Sequence, residues 1–333
     1  MLARLALAAA FVLLASMARA EPSLTFEPVG LDTRAHAILA DGDGAIALTD
    51  VGPVAIEACE GGWCLDLAEP PTKPALPTVD GLAPLPEGLS AQAGSGDVER
   101  AWYAGPTTRY AHGVLGDAIE GSALVAETGG KVPTLVLPPN EVFEDIVPRL
   151  ADLDGDGRTE IVTLLSSAEG GGSLALHALR DGALRTIART PPIGRPNRWL
   201  NVVAIEDFDG DGVHDVVVAE TPHIGGELQL WSGASLLAGA PATLARERGY
   251  SNHAIGSRAL DLAETVTIDD APALVVPTAD RRALAVVAYR GGAWMRLATL
   301  DLPARVLSGV AAVGPDLLVG LEDGSLGRVV LSE

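Results

Sequence analysis

A nonapeptide rich in Asp and Gly occurs twice in this chain. Its first copy is Asp152-Leu153-Asp154-Gly155-Asp156-Gly157-Arg158-Thr159-Glu160. The second, 55 residues on (207 − 152), is Asp207-Phe208-Asp209-Gly210-Asp211-Gly212-Val213-His214-Asp215. Carboxylates fall at positions 1, 3, 5 and 9, with Gly at 6. Alternating oxygen ligands can wrap one hard cation, and Gly permits the sharp turn between them. So many like charges in one short loop repel each other unless a cation lies among them. The expected ligands are Asp152, Asp154, Asp156 and Glu160 with the carbonyl of Arg158, and Asp207, Asp209, Asp211 and Asp215 with the carbonyl of Val213. Each set would hold one structural Ca²⁺. An EF-hand does not fit. It needs a bidentate Glu at position 12, where this chain has Thr163 and Val218. It also needs flanking helices, whereas Ile161–Leu165 and Val216–Ala219 read as buried strands.

The loops belong to a longer period. Asp207 and Asp261 are 54 residues apart, close to the first spacing. Val-Ala-Glu-Thr occurs at 125–128 and again at 218–221. Apolar runs alternate with Gly-rich turns, as in Leu174–His177 and Leu228–Trp231. Four short strands with their turns need about 40–50 residues, the size of a propeller blade. A calcium loop between two strands, repeated at this period, resembles the FG-GAP and VCBS repeat family, the integrin-α-like β-propellers. That resemblance implies an all-β fold: a single β-propeller of six to seven four-stranded blades over residues 21–333. It also implies a non-catalytic binding or scaffold role. Leu24–Glu27 is the expected closing strand, paired with the last blade at 317–331. Residues 70–97, with Pro70, Pro71, Pro74, Pro77, Pro84 and Pro86, read as an irregular excursion.

Residues 1–20 read as a cleaved signal peptide. Arg4 is followed by an apolar run from Leu5 to Ala15, and Ala18-Arg19-Ala20 is a small-residue cleavage site before Glu21. The expected location is periplasmic or secreted, with no membrane span after cleavage. In that setting Cys59 and Cys64, flanking Glu60-Gly61-Gly62-Trp63, read as a disulfide across a hairpin. Net charge is −21, from 23 Lys and Arg against 44 Asp and Glu. A surface so negative repels nucleic acid and anionic lipid. The expected partner is a protein or a glycan, and the expected state a monomer.

Enzyme motifs are absent: there is no H-E-x-x-H, G-x-S-x-G or G-x-x-x-x-G-K. In a propeller the inner strand of each blade lines the channel. Tyr110, His112, Trp199, His253 and Arg258 are expected at the entrances to inner strands, with Glu127, Lys131 and His223 on nearby loops. Such a mouth offers stacking and bidentate hydrogen bonding to a small ligand. The alternative is a propeller enzyme, a lyase or hydrolase on polysaccharide, which a His and carboxylate paired in the channel would favour. A third reading is a purely structural accessory subunit.

Overall fold

The computed structural model describes residues 22–332. The expected leader and its cleavage site after Ala20 lie outside the described residues. Strand β1 (Ser23–Val29) leads into blade 1, made of β2 (Ala35–Asp41), β3 (Gly44–Thr49), β4 (Gly52–Cys59) and β5 (Gly62–Leu67). Blade 2 is β6 (Ser90–Gln92), β7 (Arg100–Thr107), β8 (Glu120–Glu127) and β9 (Thr134–Val136). Blade 3 has a divided inner strand, β10 (Glu141–Phe143) and β11 (Arg149–Ala151), then β12 (Glu160–Ser167), β13 (Gly171–Arg180) and β14 (Ala183–Arg189). Blade 4 is β15 (Leu200–Glu206), β16 (Asp215–Glu220), β17 (Glu227–Trp231), a short helix α1 (Gly233–Leu237) and β18 (Thr243–Arg248). Blade 5 is β19 (Glu264–Ile268), β20 (Ala271–Pro277), β21 (Ala283–Arg290) and β22 (Ala293–Asp301). Blade 6 is β23 (Val306–Val313), β24 (Asp316–Leu321) and β25 (Leu326–Ser332), and β1 completes it as the outermost strand. All pairings are antiparallel; four blades are separate four-stranded sheets, and blades 2 and 3 are linked by one bridge, Phe143 to Gly121, between β10 and β8, in a β-propeller of six blades.

The expected closing strand does close the last blade: Leu24 pairs with Leu331 and Phe26 with Val329. Burial then explains the apolar runs. A strand inside a blade has a neighbouring blade on each face, so every position is covered. In β16, Val216 and Val218 pack towards blade 3 with Leu164 and Leu176, while Val217 and Ala219 pack towards blade 5 with Leu274 and Val276. Each valine buried this way contributes about 1.5–3 kcal/mol. Similar apolar layers join blades 2 and 3, 5 and 6, and 6 and 1.

The Pro-rich stretch has its own place in this scheme. Blade 2 turns Trp102, Ala104, Ala123 and Val125 away from blade 3, and Leu76, Val79 and Leu82 cover that face. Proline cannot supply a ladder donor, so the segment packs as irregular chain with single bridges, such as Pro84 to Ala104. The short β6 lies inside the stretch read as irregular.

The divided strand in blade 3 has a local cause. Asp145 Oδ1 accepts the N–H groups of Ile146 (2.7 Å) and Val147 (3.3 Å), and Pro148 has no N–H to give. This side-chain turn replaces ladder bonds. Residues 144–148 therefore leave the sheet line, and Glu144 and Asp145 are buried.

Candidate functional site

Both acidic loops join an inner strand to the second strand of its blade, β11 to β12 and β15 to β16. Their internal hydrogen bonds match. At position 1, Asp152 accepts from Asp156 N–H at 3.1 Å and Gly157 N–H at 2.9 Å. Asp207 accepts from Asp211 N–H at 3.1 Å and Gly212 N–H at 3.0 Å. At position 9, Glu160 accepts from Leu153 N–H and Asp215 from Phe208 N–H, both at 3.2 Å. At position 5, Asp156 and Asp211 each accept the N–H two residues on at 2.8 Å. Gly157 and Gly212 sit at φ 82° and 88°, a left-handed turn that L side chains adopt only with strain. The apolar residue at position 2 anchors each loop: Leu153 enters the layer between blades 3 and 4, and Phe208 the layer between blades 4 and 5. The loops also touch, with His214 N–H donating to the Leu153 carbonyl at 2.8 Å.

This folding gathers negative charge. Carboxylate oxygens of Asp152, Asp154 and Asp156 lie within 4.8 Å of one another, as do those of Asp207, Asp209 and Asp215. Burial raises Glu160 to about 7, and the charges of Asp154 and Asp156 add to this. Asp215 rises to about 6, by burial first and then by the charge of Asp209. Asp209 is also raised. Oxygen-only donors under mutual repulsion suit a hard cation such as Ca²⁺. Glu160 and Asp211, also expected as ligands, fall outside these two groups, and the carbonyls of Arg158 and Val213 complete the expected sets. Position 12 plays no such part. Thr163 is buried and hydrogen-bonded to His177 Nε2 at 2.8 Å, and Val218 is core.

The channel mouth lies at the far end of the inner strands from these loops. Leu200 and Glu206, the two ends of β15, are six residue steps apart, about 20 Å at 3.3 Å each. Trp199 directly precedes β15 as expected. Its Nε1–H donates to the Glu144 carbonyl at 2.8 Å, and its ring stacks on His223 with centroids 5.9 Å apart. His253 packs edge-on to Trp199 at 4.8 Å, and its Nδ1 lies 2.7 Å from His223 Nε2. Burial lowers His223 to about 4 and His253 to about 3, so both are neutral. Tyr110 and His112 lie between β7 and β8, the second and third strands of blade 2, and not at an inner strand. Tyr110 Oη accepts from Asn197 N–H at 3.0 Å, and His112 Nδ1 pairs with Glu144 at 2.6 Å. Arg258, six residues before β19, reaches across to Glu87, Asp117 and the Leu115 carbonyl.

All five expected mouth residues therefore meet at one end, as a closed cluster. Trp199 and His253 are buried, and their polar atoms bond internally. His112 and Arg258 keep exposed edges, at 17% and 31% of the side chain. Glu127 and Lys131 lie at the opposite end from the mouth. β8 is the third strand of its blade, so the turn after it emerges beside the acidic loops.

Sequence reasoning missed the buried acids of the mouth. Glu144 also accepts from Ser166, and Asp145 pairs with Arg149 at 2.9 Å. Glu120 rises to about 9, by burial and then by the charge of Glu144. The available signal was two adjacent acids, Glu144-Asp145, ahead of Pro148 in an apolar stretch. In blade 1 the Cys59–Cys64 disulfide joins β4 to β5 across their turn, with Cα atoms 5.8 Å apart. No helix among the described residues is long and apolar enough to cross a membrane.

The FG-GAP-like repeat family model matches residues 151–218, which include both acidic loops. No curated protein is significantly similar to the chain. Among solved structures, BamB from Moraxella catarrhalis aligns over 91% of this chain and 74% of its own, at 14% identity and a TM-score of 0.37. Six antiparallel blades closed by an N-terminal strand, with both acidic loops inside the matched segment, make residues 151–218 an FG-GAP-like repeat region of a β-propeller.

Proposed function

We propose that this chain is an exported β-propeller, stabilised by two calcium ions, that acts as a non-catalytic binding or scaffold module of the cell envelope. The observation that carries this reading is the matched pair of loops, each gathering three carboxylates within 4.8 Å. Like charges gathered in two loops with similar hydrogen bonds repel one another, and a cation in each loop would relieve that repulsion. The leader-like residues 1–20 and the disulfide support export. The partner is a protein or a glycan, met at the mouth through His112 and Arg258. Trp199, His223 and His253 hold that surface from beneath. Expressed with its leader, the protein should be exported with Glu21 as its first residue. Its melting temperature should rise with calcium and fall with EDTA, since a ligand that binds the folded state stabilises it. Coincident melts in calcium and EDTA would remove the structural role. Screening against a glycan array and an envelope extract, with His112→Ala as control, tests the mouth.

One observation favours a second reading as an enzyme. His112 and Glu144 are the paired imidazole and carboxylate that would orient a general base. Polysaccharide cleavage by the native chain, abolished in His112→Ala, would favour it.

A further inference from the structure

A cavity of about 470 Å³ opens at the acidic-loop end, between blades 2 and 3. Three cationic side chains line it: Lys131 from the turn after β8, Arg158 from the first acidic loop, and Arg180 from the end of β13. Asp97, Asp181 and the apolar side chain of Leu179 complete its wall. Several arginines elsewhere in the fold are ion-paired. Arg100, Arg149, Arg189, Arg246 and Arg328 each pair with a carboxylate at 3.1 Å or less. Among the described residues, Lys131 and Arg180 have no carboxylate within 4 Å, and Arg158 reaches only Asp156, at 3.9 Å. Lys131 is one of two lysines in a chain of net charge −21. Three cationic side chains with no carboxylate closer than 3.9 Å thus meet in one concave place. The framework beneath it is fixed. Asp97 Oδ1 accepts the Thr159 N–H at 2.8 Å, tying the β6–β7 loop to the acidic loop, and Gly129 N–H donates to Glu99 at 2.9 Å.

We infer that this cavity is a binding site for an acidic sugar, separate from the channel mouth. A carboxylate takes a bidentate pair from an arginine fork and a point charge from lysine. Asp97 and Asp181 can accept hydrogen bonds from ring hydroxyls, and Leu179 offers an apolar surface to the C–H face of the ring. The volume lies within the range of small-ligand pockets, about 300–1,000 Å³.

The test is isothermal titration of the whole mature chain, in calcium-containing buffer, with sodium glucuronate, glucose and inorganic phosphate. Glucuronate should bind saturably. Glucose, with hydroxyls but no charge, should not bind measurably, and phosphate should bind at least tenfold more weakly than glucuronate. Arg180→Gln and Lys131→Gln should each weaken glucuronate at least tenfold with an unchanged melting temperature. No saturable glucuronate binding, or undiminished binding by the Arg180→Gln/Lys131→Gln double variant, would overturn the assignment. Phosphate binding as tightly as glucuronate would overturn the sugar specificity.

Discussion

His177 shows how a polar residue becomes structural in this fold. It alternates with leucines on β13, which already marked it as a core group. The fold adds Thr163 on Nε2 at 2.8 Å and Thr186 on Nδ1 at 3.0 Å. Burial lowers its pKa to about 3. The unfolded chain takes up a proton here below about pH 6.5, whereas the folded chain refuses it until about pH 3. Stability therefore falls as pH drops through that window, by up to about 1.4 kcal/mol per unit from this group. Denaturant titrations at about pH 7 and about pH 5 should show a smaller acid loss in His177→Gln than in the parent. Parallel losses would contradict a neutral buried imidazole. The turns of the acidic loops were the most legible feature of all, because the spacing of Asp and Gly alone encodes them. The buried carboxylates around Glu144 were not legible. Their meaning comes from a broken inner strand that brings His112 and Ser166 to them from elsewhere in the chain.

Element boundaries were less legible than element types. Val-Ala-Glu-Thr at 125–128 and at 218–221 suggested one repeated position, yet β8 is the third strand of its blade and β16 the second. Any strand covered on both faces and ending in a turn reads this way, so the match reflects burial and not register. Tyr110, His112, His253 and Arg258 were expected at the entrances to inner strands, and all four lie in long loops between strands. Blade 2 hid its inner strand because β6 has only three residues and follows the prolines. Helix α1 carries a prediction at this scale. Its N-cap Ser232 accepts from Ser235 N–H, and Gly233 N–H donates to Asp215 Oδ1 at 3.0 Å. A Cβ at Gly233 would lie 2.0 Å from the His214 carbonyl oxygen, which is backbone and cannot swing aside. Gly233→Ala should thus cost about 1–3 kcal/mol and displace Asp215, lowering the calcium affinity of the second loop alone. A variant with parental melting and two intact calcium sites would show that the helix does not brace the loop.

The whole molecule depends on closure and on charge. β1 pairs along its length with β25, so the first described strand and the last join one blade. Removing residues 21–29 would leave β25 as an open edge and uncover Val329, costing several kcal/mol in lost pairing and apolar burial. The truncated chain should melt at markedly lower temperature and self-associate, which light scattering would detect; a monomer with parental melting would mean that the ring closes without β1. Closure was legible because Leu24–Glu27 alternates like an edge strand. The packing of Leu76, Val79 and Leu82 on blade 2 was not, since proline-rich chain carries no period from which a face can be read. Charge matters as much as closure: two of the most acidic turns in a chain of net charge −21 are the proposed cation sites. Native mass spectrometry of the mature protein in calcium tests it most directly. The account predicts two bound ions in the parent, one in Asp154→Ala, one in Asp209→Ala and none in the double variant. A parent that binds no calcium, or single variants that still carry two ions, would contradict it.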